Sequence, residues 1–154
     1  MKVLKTSLLL VALAAFSLQT IAAEGARHLP EIFIGATHVD GETDFTYALE
    51  YEYKFTEKFG AGLIYERIDD GHHGDGVTLK IAALYYHPVG PVRLGLGVGE
   101  EKIGGYKSKT KDLVRVSAAY DFQFEHFIVA PTISVDFVDG EQALVFGVGF
   151  IKPF

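Results

Sequence analysis

The sequence predicts an all-β fold, an eight-stranded antiparallel up-and-down barrel that crosses a membrane, on three observations. Hydrophobicity alternates with a two-residue period along eight segments of the chain. The segments are near the ~9–11 residues that a tilted strand needs to cross a bilayer, whereas strands of soluble proteins are usually nearer ~5–6. Three short turns alternate with more varied polar loops, as in a barrel whose two ends face different compartments.

A cleavable signal peptide is predicted before the barrel. The first five residues carry two lysines, the run from Ser7 to Leu18 is nearly all apolar, and Thr20 to Ala23 offers small residues to a peptidase. We therefore expect a signal over residues 1–23, export through the Sec pathway and a barrel domain over residues 24–154. An N-terminal membrane anchor is the alternative, but the apolar run is shorter than the ~20 residues of a spanning helix.

The composition of the mature chain narrows its class. It has 154 − 23 = 131 residues and a net charge of 12 − 20 = −8, because the signal removes two lysines and no acids. This charge argues against a nucleic-acid partner, since duplex binding needs a basic face. The chain has no cysteine, so it has neither a disulfide framework nor an N-terminal cysteine for lipid attachment. Export without cysteine suits a bacterial envelope protein.

The alternation is clearest over residues 44–55. Odd positions from Phe45 to Phe55 are all apolar or aromatic, while the even positions from Asp44 to Lys54 are largely polar. Such a strand has two different environments on its faces. The predicted strands are 31–39, 44–55, 58–68, 76–88, 91–101, 111–122, 126–137 and 142–154. Pro131 lacks a backbone donor, so we expect a bulge or a lost hydrogen bond there.

The apolar face of each strand is predicted to meet lipid. On the fourth strand this rule turns Val77, Leu79, Ile81, Ala83 and Tyr85 outward. A charge on that face would cost ~2–4 kcal/mol at the bilayer midplane. The opposite face is predicted to hold a lumen charge network, with glycines making room for it. Its predicted members are Glu50, Glu52, Lys54, Glu66, Lys80, Arg93, Arg115, Asp121 and Asp136.

Eight strands leave an interior that side chains can fill, so we interpret these charges as a structural salt-bridge network. A gated ion or proton path is the alternative.

Aromatic residues are predicted to gather at the two rims, as they do at membrane interfaces. We call the end with the three short turns the lower end. The predicted lower rim holds Tyr53, Phe55, Phe59, Tyr85, Tyr120, Phe122, Phe127 and Phe154, and the predicted upper rim at the opposite end holds Phe45, Tyr47, Tyr65 and Phe137.

The chain resembles the small eight-stranded outer-membrane barrels of the OmpA/OmpX kind over the residues that follow the signal. Such barrels end in an aromatic residue preceded by alternating apolar ones. Leu144, Phe146, Val148, Phe150 and Phe154 match this pattern, whereas Lys152 and Pro153 depart from it. The resemblance implies that the outer-membrane assembly machinery reads these residues. It also implies a monomer in the outer membrane of a Gram-negative bacterium, in contact with lipid and lipopolysaccharide.

Two polar loops hold candidate binding residues. The stretch DDGHHGDG offers His72, His73, Asp70 and Asp75 as metal ligands, but it matches no ligand spacing, and a solvated loop is favoured. No cofactor is expected. The stretch EKIGGYKSKTK carries lysines that suit lipopolysaccharide phosphates, with an ordinary solvated loop as the alternative. These lysines are Lys102, Lys107, Lys109 and Lys111.

Catalysis is not predicted. Lipid A deacylases of this size pair a histidine with a serine two residues away, but here His126 is followed by Phe127 and Ile128. His38 and His87 have no nearby serine. We therefore expect a non-catalytic protein with a plugged lumen and a structural or cell-surface role. A soluble periplasmic lipocalin-like carrier, a narrow gated pore and a lipid A-modifying enzyme stay as alternatives.

Overall fold

The structure, a computed structural model, describes residues 25–70 and 74–154. The predicted signal peptide and the candidate ligands His72 and His73 lie outside the described residues. Within the described part, no helix is long and apolar enough to cross a membrane.

The described chain consists of antiparallel strands joined by turns and short loops. They are β1 (His28–Val39), β2 (Glu42–Lys54), β3 (Phe59–Ile68), β4 (Val77–Tyr86), β5 (Val92–Ile103), β6 (Lys109–Tyr120), β7 (Phe122–Gln123), β8 (Ile128–Val138) and β9 (Glu141–Ile151). Their bounds lie within a few residues of the predicted strands. Each strand pairs with its neighbours in the order β6-β5-β4-β3-β2-β1-β9-β8-β7, and β6 also pairs with β8. The sheet therefore closes, which confirms the predicted barrel.

The strand opposite Pro131 is interrupted without a change of register. Ala119 pairs with Thr132 before the break, and Phe122 pairs with Val129 after it, so the same residue offset is kept. The segment β7 thus continues β6, and the two together form one of eight strands. The residues at the break face Pro131, which has no N–H to donate. Of the two predicted outcomes, the lost bond is the one observed.

The closed sheet has a stagger of ten residues. A path of directly opposed residues leaves Asp112 on β6, crosses Glu100 on β5 and continues strand by strand around the barrel. It arrives at Phe122 on β7, 122 − 112 = 10 residues along the same strand. Strands of a staggered barrel are tilted to its axis, by roughly 35–45° in membrane barrels. The path therefore climbs from Phe122 at one end of the barrel to Asp112 near the other.

Two of the connections at the upper end, the end opposite the last residues of the chain, are tight turns. Val39 pairs with Glu42 and Val138 pairs with Glu141, so each turn has two residues. The φ angles are 51° at Asp40 and 82° at Gly41, and 50° at Asp139 and 79° at Gly140. Both turns are of type I′, which Asp-Gly favours. Two of the polar loops predicted at this end are therefore two-residue hairpin turns.

The faces of β4 are opposite to the prediction. Val77, Leu79, Ile81, Ala83 and Tyr85 are buried in the lumen, and Lys80 lies exposed on the outer face. The reason lies in β5, which sets Gly99, Gly97 and Gly95 directly opposite Ile81, Ala83 and Tyr85. Large side chains on β4 fill the space that these glycines leave. Residues on the two faces of β4 below Lys80 are equally apolar, so alternation alone could not distinguish them.

The outer surface carries an apolar belt. On the other strands the predicted apolar faces do point outward, and the exposed side chains include Leu49, Leu63, Leu96, Val116 and Ile133. An exposed apolar surface this large marks an interaction with a membrane or another protein. At the rims, Tyr120 packs on Phe122 with ring centroids 4.7 Å apart, and Phe59 stacks on Tyr86 at 5.0 Å. Tyr85, predicted at the lower rim, is instead buried in the lumen.

Candidate functional site

Three charged side chains, Glu66, Arg115 and Asp136, lie in the upper part of the lumen, and we call them the upper cluster. Arg115 donates from Nε and Nη2 to the Asp136 carboxylate at 2.6 and 2.7 Å. Its Nη1 and Nη2 donate to the Glu66 carboxylate at 2.8 and 2.9 Å. All three side chains are buried. The guanidinium thus grips two carboxylates in bidentate fashion, the strongest geometry for such pairs.

The lower part of the lumen places four carboxylates around one guanidinium. Arg93 lies 2.9 Å from Glu31, 3.3 Å from Asp121, 3.5 Å from Glu50 and 3.8 Å from Glu52, measured between the nearest nitrogen and oxygen atoms. We call these five residues the lower cluster. Several of its atoms, among them Glu31 Oε2 and Glu52 Oε2, have no well-directed hydrogen bond. The lower cluster is therefore less completely satisfied than the upper one.

Two further side chains link the lower cluster to the barrel wall. The hydroxyl of Tyr85 donates to Glu50, and Cζ of Arg93 lies over the face of the Tyr85 ring, 5.7 Å from its centroid. Nε2 of His87 lies 2.7 Å from Glu52 Oε1. Glycines leave room for two of the carboxylates of the lower cluster. A Cβ at Gly60 would overlap the Glu52 carboxylate, and one at Gly149 would overlap that of Glu31.

Little empty space remains between the two clusters. A cavity of about 30 Å³ lies there, lined by charged residues of both clusters and by polar side chains such as Ser117 and Thr132. That volume holds about one water molecule. Above the upper cluster, Ile68, Val77 and Ile103 are buried and directly opposed on neighbouring strands. These apolar side chains separate the polar interior from the mouth of the barrel.

The structure brings most of the predicted lumen network together, with two exceptions. Glu50, Glu52, Arg93 and Asp121 meet in the lower cluster, while Glu66, Arg115 and Asp136 meet in the upper one. The prediction for Lys80 is wrong, because the inverted faces of β4 place this residue outside. Lys54 lies half-buried at the lower end and forms no ion pair with the described residues.

Sequence reasoning missed Glu31, Tyr85 and His87. Glu31 is the first residue of its predicted strand, and its alternation with the outward Ile32 and Ile34 points it inward. Tyr85 and His87 follow the inward phase of β4 and became recognisable only once that phase was known.

The candidate surface residues are spread over the upper end. Lys102, Lys107 and Lys109 are exposed, whereas Lys111 lines the mouth and its Nζ lies 3.6 Å from Asp139 Oδ2. Lys111 thus differs from the three exposed lysines in its partial burial and its ion pair. Among the described residues, no three histidine, aspartate or glutamate side chains are grouped to hold a metal ion. Asp70 and Asp75 are exposed loop residues.

The predicted assembly residues lie along the outer face of the closing strand. Leu144, Phe146 and Phe150 are exposed on β9, Val148 is half-exposed, and Phe154 follows the strand. The β9 residues of this set point outward, as the alternation of hydrophobicity predicts. Of the histidines considered for catalysis, His87 is engaged with Glu52, and His126 is exposed beside Glu125 in the turn that precedes β8.

Comparison with solved structures identifies the fold. Ail of Yersinia pestis matches with a TM-score of 0.55 and 16% identity, over 84% of this chain and all of that one, 100%. Neisserial surface protein A matches with a TM-score of 0.60 and 12% identity, over 85% and 100%. The N-terminal barrel domain of Pseudomonas aeruginosa OprF matches with a TM-score of 0.59 and 18% identity, over 83% and 99%.

This chain has the fold of the small outer-membrane barrels. The predicted resemblance is thereby confirmed at the level of the fold, and the predicted outer-membrane location agrees with it. No family model matches the sequence, and neither does any curated protein.

Proposed function

We propose that the chain is an integral outer-membrane protein with a closed, non-conducting lumen and a structural or cell-surface role without catalysis. The observation that carries the proposal is the inverted distribution of polarity. Two clusters of buried ion pairs lie in the interior together with apolar side chains, while the exposed strand faces carry leucine, isoleucine, valine and aromatic rings. A protein in water would expose the first set and bury the second.

A closed lumen is supported by the layers that block it. An ion entering from the mouth would have to pass the side chains of Ile68, Val77 and Ile103, and then the bidentate pairs of Arg115. The space between the two clusters accommodates about one water. These features favour a plugged lumen over the gated pore.

The soluble-carrier alternative is disfavoured by the same interior. A lipocalin-like carrier needs an apolar cavity large enough for its ligand, and ligand pockets usually measure ~300–1,000 Å³. The lumen cavity of about 30 Å³ is much smaller and is lined by charges. Among the described residues, no histidine lies within hydrogen-bond distance of a serine, the pair on which the deacylase alternative depends.

The partners of the chain belong to the same proposal. Ail has been described in a phospholipid bilayer nanodisc and in complex with the heparin analogue sucrose octasulfate. For this chain we propose contact of the apolar belt with lipid and of the exposed Lys102, Lys107 and Lys109 with lipopolysaccharide phosphates. Recognition of the β9 face by the assembly machinery and a monomeric state complete the proposal.

Two measurements test it. Membrane fractionation and gel mobility with and without heating should show a membrane-bound protein whose folded form migrates differently from the unfolded one. Soluble periplasmic protein without a mobility shift would contradict the membrane assignment. Planar bilayers containing the folded barrel should show no steady current, and regular openings that depend on ion charge would contradict the closed lumen.

A further inference from the structure

Two carboxylates of the lower cluster lie side by side in the lumen. Glu31 on β1 and Glu50 on β2 are directly opposed, and both line the cavity between the two clusters. Directly opposed residues have Cβ atoms ~4.5–5.5 Å apart, and like charges in this arrangement are destabilising. The two side chains are only 3% and 13% exposed, so solvent screens their repulsion little. We call Glu31 and Glu50 the carboxyl pair.

The cations of the lumen are too few to compensate its acids. The upper and lower clusters together contain six carboxylates and two guanidinium groups. If His87 beside Glu52 and the half-buried Lys54 are both counted as cations, the excess of acids is 6 − 4 = 2. A buried charge without compensation is strongly unfavourable, and the group is neutralised instead. At least part of this excess is therefore removed in the folded barrel.

The elements packed around the carboxyl pair supply no additional cation among the described residues. Across the cavity, the Arg115 guanidinium is already engaged by Glu66 and Asp136. The titratable groups that face the pair from β2, from β4 and the residues after it, from β5 and from the end of β6 are Glu52, Tyr85, His87, Arg93 and Asp121. The inward side of β3, β8 and β9 offers uncharged residues there, among them Ile64, Thr132 and Gly149.

The space beside the carboxyl pair favours a proton over a metal ion. The cavity of about 30 Å³ holds about one water molecule and no hydrated cation. Among the described residues, no three acid or histidine side chains are grouped to hold a metal ion. A proton requires no volume of its own, and two carboxylates that share one site retain a proton at a pH at which a single carboxylate has lost it.

We propose that the carboxyl pair binds one proton in the folded barrel at neutral pH, shared between Glu31 and Glu50. The protonated carboxyl group donates a hydrogen bond to its ionised partner, which replaces a repulsion by an attraction. The one negative charge that remains on the pair lies beside Arg93, which is 2.9 Å from Glu31 and 3.5 Å from Glu50. The proton belongs to the pair rather than to either residue. It is held and not conducted, because the upper cluster and the apolar side chains above it separate the pair from the mouth.

The bound proton makes the stability of the barrel depend on pH. In the unfolded chain the two glutamates are separated, and each loses its proton at about pH 4.3. Above that pH the folded barrel therefore holds one more proton than the unfolded chain. Stability is then greatest on the acid side, and the folding equilibrium constant falls about tenfold per pH unit for one proton until the pair itself releases it. This property goes beyond the proposed function, because it requires only that the folded lumen be formed.

Infrared spectroscopy of the folded barrel in deuterated buffer tests the proton directly. In micelles of a detergent without ester groups, the wild type at neutral pH should show the C=O stretch of a protonated carboxyl group. Glu31→Gln and Glu50→Gln should each lack this band, because either substitution removes the repulsion that retains the proton. Glu42→Gln is the matched control, since it neutralises an exposed glutamate of β2, and it should keep the band.

Urea unfolding in the same micelles measures the number of protons taken up. The folding equilibrium constant of the wild type, divided by that of Glu50→Gln, should fall about tenfold between pH 5 and pH 6. The ratio removes the titrations that both chains share, including those of the histidines. The corresponding ratio for Glu42→Gln should stay constant.

Heat-modifiable mobility reports folding of every variant, and the band of the wild type tests the proposal even if a variant does not fold. A folded wild type without the carboxyl band overturns the shared proton. A ratio to Glu50→Gln that is constant from pH 5 to pH 8 does the same, as does stability that follows the exchange of sodium for tetramethylammonium at fixed pH. Each of these results leaves the barrel assignment standing, whereas soluble protein without heat-modifiable mobility contradicts that assignment separately.

Discussion

The ring of Phe154 stacks on the imidazole of His28, with ring centroids 5.1 Å apart and planes inclined by 12°. The backbones of the two residues also pair. The N–H of Phe154 donates to the carbonyl of His28 at 3.0 Å, and the carbonyl of Phe154 accepts from the N–H of His28 at 2.9 Å. The last residue of the chain thus extends the β1–β9 pairing beyond Ile151 and closes the seam of the barrel at its lower end.

Removing Phe154 should reduce the yield of folded barrel, because the stacked ring and both backbone bonds of the seam are lost together. Lys152 and Pro153 already depart from the terminal pattern, so little redundancy is left for recognition during assembly. The folded fraction is measured by heat-modifiable mobility of the outer-membrane fraction. Phe124→Ala removes an exposed aromatic from the turn between β7 and β8 and should leave the yield unchanged. Equal yields for the deletion and the wild type would place the assembly signal elsewhere.

Arg115→Met should lower the free energy of unfolding by about 3–5 kcal/mol, because it leaves the buried carboxylates of Glu66 and Asp136 without their partner. Urea unfolding of the barrel in micelles measures the loss. Arg67→Met is the matched control, since Arg67 is partly exposed and lies 3.9 Å from Asp69, a pair for which ~0–1 kcal/mol is expected. Similar losses for both variants would mean that the upper cluster contributes no more than a surface pair.

Single cysteines introduced at Ala82 and at Ala83 test the inverted faces of β4, because the chain has no native cysteine that would also be labelled. Spin labels attached at Ala82→Cys should be relaxed by oxygen dissolved in the lipid, because Ala82 faces outward. Labels at Ala83→Cys should be protected, because Ala83 is buried in the lumen. The reverse pattern of collision rates in reconstituted vesicles would restore the faces that alternation predicts.

Gly97→Ala should destabilise the barrel by about 1–3 kcal/mol, the usual cost of overpacking a core. A Cβ at Gly97 would lie 2.6 Å from Cγ2 of Ile81. In an Ile81→Ala background the clash is absent, so the cost of Gly97→Ala should become small. A double-mutant cycle of unfolding free energies measures this coupling. Additive effects of the two substitutions would show that the side chains do not meet.

Gly41→Ala should destabilise the first hairpin by about 1–2 kcal/mol through its backbone alone. The φ angle of Gly41 is 82°, and a Cβ built there would meet no atom within 4 Å. Gly41→Asn should cost less, because asparagine tolerates the left-handed region. Equal unfolding free energies for the alanine and asparagine variants would argue against the type I′ turn.

Most of the fold could be predicted because lipid and lumen select opposite side chains on each strand. The alternation of Phe45, Tyr47 and Leu49 with Thr46 and Ala48 requires only local sequence to interpret. The same difference in polarity between the two faces of a strand predicts the approximate strand bounds and the count of eight strands. It also predicts which face points outward on β2, β3, β5, β6, β8 and β9. Where both faces of a strand are equally apolar, as in β4 below Lys80, the prediction of which face points outward was wrong.

The sequence by itself determined that Arg93, Arg115, Glu66 and Asp136 point inward, since each lies opposite an apolar face. Only the tertiary structure decided which of them meet, because distances across the lumen depend on the register and stagger of the closed sheet. The same register set the β5 glycines against β4, which placed Ile81 and Tyr85 inside. Lys80 was thereby turned to the outer surface, where it lies directly opposite Glu100 on β5.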